Sequence, residues 1–531
     1  MTRPTRKYNK TSFVKLPTYL STYLSTSRYF DFEQYLPKLL NLLNTPHQSP
    51  FEENMSILID KILAASPTTE RGRPTQLSCD PKGERIAYAS GKSVFVRSID
   101  DPSLSKQYTS HTTQTTVARF SPSGYYIASG DVSGTVKVWD SIEGVNTKGD
   151  YHIINGRIND IAWDGDSQRI IAVGDGRERY GACITADSGN TVGEIVGHSA
   201  VINSVSIRQQ RPLRAATGAD DSYIYGVGFS PDGNHLVSVG ADRRIQLYDG
   251  KTGDTKAHFG EGEHKGSIFS VSWARDSKRL VTASADQTVK LWDVEAGKAV
   301  QTWRFGGEGN VSIPDHQVGV VWPSRGDGMI ISLNLAGDLN YLAEGTDKPT
   351  KIVQGHGKAI TAIGSAHTEK GQTLWTGSFD GRVCSWDVGA GTGSATEGSS
   401  HTNQVSSWAS AGDNAYSVGW DDTLRTIDVP GNTFVGEAAK LNGQPKGVAA
   451  VADKLYVATA NGIDIFSKNN LVNTVETKDF TPTSISANGN NVAVGDERNV
   501  VHIYTVEGNN LSPKTELTKS LAQDLRVRIF T

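Results

Sequence analysis

The chain has 531 residues, 37% of them hydrophobic and 21% charged, and a formal net charge of −4 at pH 7. This length exceeds one ordinary domain, the composition is globular rather than disordered, and the lack of a basic excess excludes a mainly electrostatic binder of nucleic acid or membranes. The three cysteines are far apart and no apolar stretch approaches the roughly 20 residues of a membrane helix, which disfavours a disulfide framework, a structural zinc site and a membrane span and fits a reducing cytoplasm.

The first 54 residues lie outside any repeat. Residues 1–28 contain six Lys or Arg, ten Ser or Thr and no acidic residue, a composition similar to that of a mitochondrial transit peptide. A disordered or mistakenly translated leader accounts for the same composition. We favour this second interpretation because Met55 offers an alternative start.

A recurring phrase marks the rest of the chain. It reads Thr-Val-Lys-Val-Trp-Asp up to Asp140 and Thr-Val-Lys-Leu-Trp-Asp up to Asp293, with degenerate copies ending at residues 249, 387 and 428. Apolar and polar residues alternate in each copy, as in a half-buried strand. The spacing of 38–50 residues between most marker positions is typical of WD-repeat propeller blades, each of which has four strands.

A second phrase precedes the first, with a His 28–30 residues before the marker Trp and an Asp six residues before it. The carboxylate of such an Asp can accept local hydrogen bonds in a tight turn, and the His and the indole can bind a strand Ser or Thr. We therefore predict structural links within blades rather than catalytic groups. The residues concerned are His111, Trp139, His264, Asp286, Trp292, His356, Asp380 and Trp386.

Eleven apolar strand units can be counted, whereas propellers usually close with four to eight blades. The sequence therefore predicts an all-β protein with tandem propellers: a seven-bladed one at 55–350, a second one truncated to about four blades at 351–506, and a tail at 507–531. One step of 63 residues is too short for two blades, so about 22 residues are missing from the fourth blade. We expect the gap after Ala219-Asp220-Asp221, where two outer strands should lie.

Motifs of common enzymes are absent from the sequence. It contains no GxxxxGK[ST] phosphate loop, no HExxH zinc pair and no GxSxG elbow. An enzyme is possible on a propeller, but nothing in these motifs argues for one.

From Met55 to about Lys514 the sequence resembles the actin-interacting protein 1 family. The resemblance rests on phrases outside the generic repeat. They are Lys61 to Pro67, Arg71 to Pro74, Asp80 to Gly83, Gly176 to Gly181, Asp187 to Asn190, Arg211 to Arg214, Gln317 to Val321 and Trp420 to Leu424.

The resemblance implies two seven-bladed propellers in a protein that is not an enzyme and that needs no cofactor and no metal. It implies a cytoplasmic protein of the actin cytoskeleton and of cortical actin, which binds actin filaments together with cofilin and promotes filament disassembly. No nucleic acid and no membrane is implied as a partner, and we expect a monomer.

The resemblance also implies a filament-facing surface on the third and fourth blades. Carried over by motif, its residues are Glu178, Arg179 and Tyr180 in one loop and Asp220 and Asp221 in one turn. From the sequence without the resemblance, we favour the interpretation that Glu178, Arg179 and Tyr180 form a solvated connection between strands.

This chain departs from the family in its extra leader, its shortened fourth blade and the absence of the final three blades. Two alternatives stay open at this point. One is a generic WD-repeat scaffold for another multiprotein complex, and the other is a propeller enzyme with acids or His converging at one mouth.

Overall fold

The computed structural model describes residues 61–142, 146–220, 223–307, 311–368 and 371–517, and these form eleven β-sheets. Ten sheets have four antiparallel strands and one has two, which confirms the predicted all-β fold of propeller blades. The helical element that lies wholly within these ranges is one 3-10 turn, Ile313–Asp315. The same ranges hold no helix with the length and apolar character needed to cross a membrane. The predictions for residues 1–54 concern residues outside those described.

Seven sheets follow one another along the first part of the described chain, each starting with its innermost strand. Their strands are β1 Ser78–Cys79, β2 Arg85–Ser90, β3 Ser93–Ser98 and β4 Ser105–Tyr108; β5 Thr115–Phe120, β6 Tyr126–Asp131, β7 Thr135–Asp140 and β8 Thr147–His152; β9 Gly156–Trp163, β10 Arg169–Gly176, β11 Gly181–Thr185 and β12 Thr191–Glu194; β13 Ile202–Ile207 and β14 Ala215–Ala219; β15 Ile224–Phe229, β16 His235–Gly240, β17 Ile245–Asp249 and β18 Thr255–Phe259; β19 Ile268–Trp273, β20 Arg279–Ser284, β21 Thr288–Asp293 and β22 Lys298–Arg304; β23 Gln317–Val321, β24 Ile330–Asn334, β25 Leu339–Leu342 and β26 Lys351–Val353.

The seven sheets close into a ring because the seventh packs on the first. Val318 of β23 shares one buried cluster with Ile86 and Tyr88 of β2. The Thr75 amide, just before β1, donates a hydrogen bond to the Val318 carbonyl at 2.9 Å. This closure removes the free sheet faces of an open row and confirms the predicted seven-bladed first propeller.

The fourth sheet is the incomplete one. It consists of β13 and β14 alone, and the chain then passes through the turn after Asp220 into β15. The third and fourth strands that every other sheet has are missing here, as the short repeat step predicts. Residues 221 and 222 lie outside the described ranges.

Four further sheets form the rest of the described chain. Their strands are β27 Ile360–Thr368, β28 Gly371–Ser378, β29 Val383–Asp387 and β30 Thr392–Ala395; β31 Val405–Ala411, β32 Asn414–Gly419, β33 Thr423–Asp428 and β34 Thr433–Lys440; β35 Pro445–Val451, β36 Lys454–Thr459, β37 Gly462–Ser467 and β38 Asn470–Glu476; β39 Pro482–Asn488, β40 Asn491–Asp496, β41 Val501–Glu507 and β42 Asn510–Leu517.

The chain divides into two compact units. One contains the described residues up to Ala359 together with Cys384–Ala395, and the other contains Ile360–Val383 and the described residues from Thr396 onward. Strand β26 belongs to the seventh sheet but begins after the predicted domain limit at 350. Strand β42 belongs to the eleventh sheet but begins after the predicted limit at 506. The predicted domain bounds therefore stay predictions.

Candidate protein-binding surface

A buried hydrogen-bond network ties the strands of the second sheet together. His111 binds the Asp131 carboxylate through Nδ1 at 2.9 Å and the Ser129 hydroxyl through Nε2 at 2.7 Å. The Trp139 indole donates to the same hydroxyl at 3.0 Å. Burial disfavours ionisation of Asp131, but its hydrogen bonds with His111 and Ser133 outweigh this and hold the pKa of the carboxyl well below its usual range.

The sixth sheet repeats this network with Thr in place of Ser. His264 binds Asp286 at 2.9 Å and the Thr282 hydroxyl at 2.8 Å, and the Trp292 indole donates to that hydroxyl at 2.8 Å. Burial opposes the charge of Asp286, yet its hydrogen bonds with His264 and Thr288 hold the carboxyl pKa well below its usual range. In both networks the two ring nitrogens of the His, the indole nitrogen and the Ser or Thr hydroxyl all form hydrogen bonds within the sheet. These residues therefore serve to hold the strands together.

The eighth sheet places the third predicted set differently. His356 is buried, with its ring centroid 6.2 Å from that of Trp386. Asp380 is exposed and accepts hydrogen bonds from the Ser378 hydroxyl and the Arg382 amide within its own turn. In the ninth sheet His401 binds Asp421 and Ser417, both at 2.9 Å.

An inter-sheet network around Asp160 was missed by the sequence analysis. Asp160 of β9 is fully buried and pairs with Arg119 of β5 at 2.8 Å. Its second carboxylate oxygen accepts hydrogen bonds from the Ser204 hydroxyl and the Val205 amide of β13, both at 3.0 Å. The network therefore joins three neighbouring sheets and holds the incomplete fourth sheet in the ring.

The turn between β10 and β11 carries three of the predicted surface residues. A Cβ on Gly176 would lie 1.9 Å from the Arg179 carbonyl oxygen, so this tight turn requires glycine. Glu178 is exposed and makes no hydrogen bond or ion pair with the described residues. Arg179 pairs with Glu194 at 3.0 Å.

Tyr180 anchors this turn to the next loop. Its ring packs at the edge of the apolar cluster between the third and fourth sheets, and its hydroxyl donates to the Ser199 carbonyl at 3.1 Å. Two residues along that loop, the Val201 carbonyl accepts a hydrogen bond from the Asp220 amide at 2.9 Å. The structure thus brings the turn and Asp220 to one end of neighbouring sheets. Asp220 is exposed, and Asp221 lies outside the described residues.

Two exposed apolar residues on the same loops were not predicted. Val196, in the loop after β12, is 81% exposed, and Tyr223, which follows Asp220, is 65% exposed. Neither residue belongs to the repeat phrase, so periodicity could not single them out. We name Glu178, Arg179, Tyr180, Val196, Asp220 and Tyr223 the rim surface. It combines acidic and apolar side chains on a rigid ring, which suits recognition of a protein partner.

A cavity of about 590 Å³ lies beside β41 and β42 in the second unit. The His502 ring there stacks on Phe480 with 3.8 Å between centroids. Its two nitrogens contact Glu516 at 3.1 Å and Asp496 at 3.2 Å. Both ring nitrogens are therefore occupied by carboxylates of this chain. The described residues hold no cluster of three or more His, Cys, Asp or Glu side chains suited to a metal ion.

Comparison with known proteins identifies the family. A family model of the WD domain, G-beta repeat, matches residues 102–140, 211–249 and 258–293. The chain is 36% identical over 496 residues to actin-interacting protein 1 of Drosophila melanogaster, which covers 88% of this chain and 79% of that protein. It is 38% identical over 498 residues to WD repeat-containing protein 1-B of Xenopus laevis and 37% over 499 residues to WD repeat-containing protein 1 of Gallus gallus, with 88% of this chain and 81% of each relative covered. The resemblance read from the sequence is thereby confirmed, and the chain belongs to the actin-interacting protein 1 family of WD-repeat proteins.

Proposed function

We propose that this chain binds actin filaments and, together with cofilin, promotes their disassembly. The observation that carries the proposal is the similarity over 88% of the chain to a relative named actin-interacting protein 1. Association with actin follows most directly from that name. Cofilin, the disassembly activity and the cytoplasmic, cortical location follow from the resemblance found in the sequence.

The rim surface is the proposed contact with the filament and cofilin. Glu178 and Asp220 supply exposed carboxylates, and Val196 and Tyr223 supply exposed apolar area. The ion pair of Arg179 and the hydrogen bond of Tyr180 fix the loops that carry them. Acidic groups on fixed loops would steer and orient a basic partner surface. Asp221 belongs to the proposed contact because it follows Asp220 in the sequence.

We further propose that the protein acts by recognition alone, as a monomer, without enzymatic activity and without a cofactor. The cavity beside β41 and β42 supports this proposal because its His502 is bound on both sides by carboxylates and is stacked on Phe480. A general base needs a free nitrogen within reach of a substrate proton.

The test is a filament disassembly assay with fluorescent actin, in the presence and absence of cofilin. We expect faster disassembly with cofilin and a decrease of several-fold for Glu178→Lys, because this change reverses an exposed charge of the rim surface. Glu295→Lys is the matched control, since Glu295 is exposed in the β21–β22 turn at the opposite end of the sheets. Equal loss in both variants would contradict the assignment of the rim surface.

The alternative is a scaffold for another multiprotein complex. It would be favoured if the purified chain left the filaments unchanged with and without cofilin while a different partner bound the rim surface.

A further inference from the structure

The incomplete fourth sheet has a free edge on β14. Antiparallel pairing alternates, and the Arg208 amide donates to the Arg214 carbonyl at 2.8 Å, so the bonded pairs continue at Ser206–Ala216 and Ser204–Gly218. The backbone groups of Ala215 and Thr217 therefore point away from β13. Among the described residues no strand pairs with this side of β14.

The described residues leave the space beside this edge open. It lies between the outermost strands of the third and fifth sheets, β12 and β18. All four residues of β12 are exposed, as are four of the five of β18. A Cβ built on Gly193 of β12 would meet nothing within 4 Å. Other sheets fill this position with their own third and fourth strands, so the open space is a slot of strand dimensions.

The complete sixth sheet shows which strand chemistry would fill the slot. There the Thr282 hydroxyl accepts a hydrogen bond from the Trp292 indole. Trp292 lies opposite Leu280, and Leu280 is two residues before Thr282 on the same strand. In the fourth sheet Thr217 holds the matching place, because its hydroxyl binds His198 Nε2 at 2.7 Å as Thr282 binds His264. A strand added to β14 would thus place an aromatic donor opposite Ala215.

Charge indicates which residue should follow the aromatic residue of the added strand. In the sixth sheet Asp293 follows Trp292 and lies opposite Arg279 in the strand register, while Arg279 forms its ion pairs with Asp276 and Glu344. Arg214 occupies the corresponding position before β14. It is exposed and has no acidic partner among the described residues. An added strand therefore gains a complementary charge pair if an acidic residue follows its aromatic residue.

We propose that the free edge of β14 binds an extended segment of a partner protein, which adds to the sheet as an antiparallel strand with alternating apolar residues, a Trp or Tyr opposite Ala215 and an acidic residue opposite Arg214. Main-chain hydrogen bonds would supply affinity, and the Thr217 hydroxyl and Arg214 would supply specificity. A second copy of the ring is a poorer occupant, since its own β14 edge is recessed between β12 and β18 in the same way.

The test uses the full chain and a capped peptide of the sequence Thr-Val-Lys-Leu-Trp-Asp, labelled for fluorescence anisotropy. We expect binding with one site per chain and at least a tenfold loss of affinity for Ala215→Pro, because proline removes the outward amide while the pairing with β13 stays intact. Ala215→Ser keeps the amide and should bind like the unchanged protein. No binding, or equal binding by the proline variant with its fold retained in circular dichroism, would overturn the proposal.

Two further readouts separate the details. Thr217→Val should weaken the Trp peptide about fivefold and leave a peptide with Phe in place of Trp unchanged, since only the indole donates to the hydroxyl. Hydrogen exchange should show unprotected Ala215 and Thr217 amides that become protected when the peptide binds. If these amides are protected without peptide, the edge is already covered. A protection that grows with protein concentration would mean that a second copy covers the edge, and a constant protection would mean that this chain covers it itself. Either result overturns the proposal.

Discussion

Thr282→Val removes the hydroxyl at the centre of the sixth sheet's network and keeps the shape of the side chain. Thr282 and Trp292 are 0% exposed and His264 is 1% exposed, so water cannot replace the lost partner. His264 Nε2 and the Trp292 indole each lose a contact of 2.8 Å. A buried polar group without a partner costs about 1–3 kcal/mol, and we expect a total destabilisation of about 3 kcal/mol.

The assay is native-state hydrogen exchange of the β20 and β21 amides in the full chain. A loss of about 3 kcal/mol corresponds to roughly a hundredfold decrease in protection. Thr302→Val is the control, because its hydroxyl accepts from Lys290 Nζ at 3.2 Å on the partly exposed outermost strand. We expect less than about 0.5 kcal/mol there. Equal protection in Thr282→Val and the unchanged protein would refute the structural role of the network.

Three other predictions concern charge and packing. The pKa of Asp286 is lowered in the folded state, so its charge stabilises the fold above the ordinary carboxyl pKa, and this stabilisation is lost progressively as the pH falls below that value. Between pH 5 and 3 the melting temperature should therefore fall less for Asp286→Asn than for the unchanged protein. An identical fall in melting temperature would contradict this. Asp160→Asn should destabilise by about 2 kcal/mol or more in urea unfolding because it breaks a buried pair with Arg119, whereas Asp150→Asn, in an exposed pair, should cost less than about 0.5 kcal/mol. Strand β40 pairs with β39, which is largely unburied, whereas β36 pairs with β35, which is better buried. The amides of β40 should therefore exchange faster than those of β36. The reverse order would show that exposure of the first strand of a sheet does not set its local stability.

The repeat phrases predict the number and order of the sheets because strand alternation and turn residues are local properties. The rule of an Asp six residues before the marker locates Asp286 and Asp421. It misses Asp131, which lies eight residues before Trp139 at the end of β6 and makes the same contact with its His. The carboxylate therefore comes from a different position in the turn, while its hydrogen bond with the His is the same as in the sixth sheet. Residue spacing in the sequence does not show such a substitution of one turn position for another.

The Asp160 network and the rim surface have a different origin. Asp160 is 41 residues from Arg119 and 44 residues from Ser204 in the sequence, and these residues meet only because the ring places their strands side by side. Tyr180 and Asp220 are connected through the Ser199–Val201 segment, which carries no repeat phrase. Such contacts depend on the packing of neighbouring sheets, and one sequence without its fold does not show them.

We propose that this chain recognises actin filaments through the rim surface. Co-sedimentation of the full chain with filamentous actin, with and without cofilin, tests this most directly. We expect the chain in the pellet with filaments, in a larger amount when cofilin is present, and less of it for Glu178→Lys than for Glu295→Lys. If the chain stays in the supernatant under both conditions, it does not recognise filaments and the proposed function is wrong.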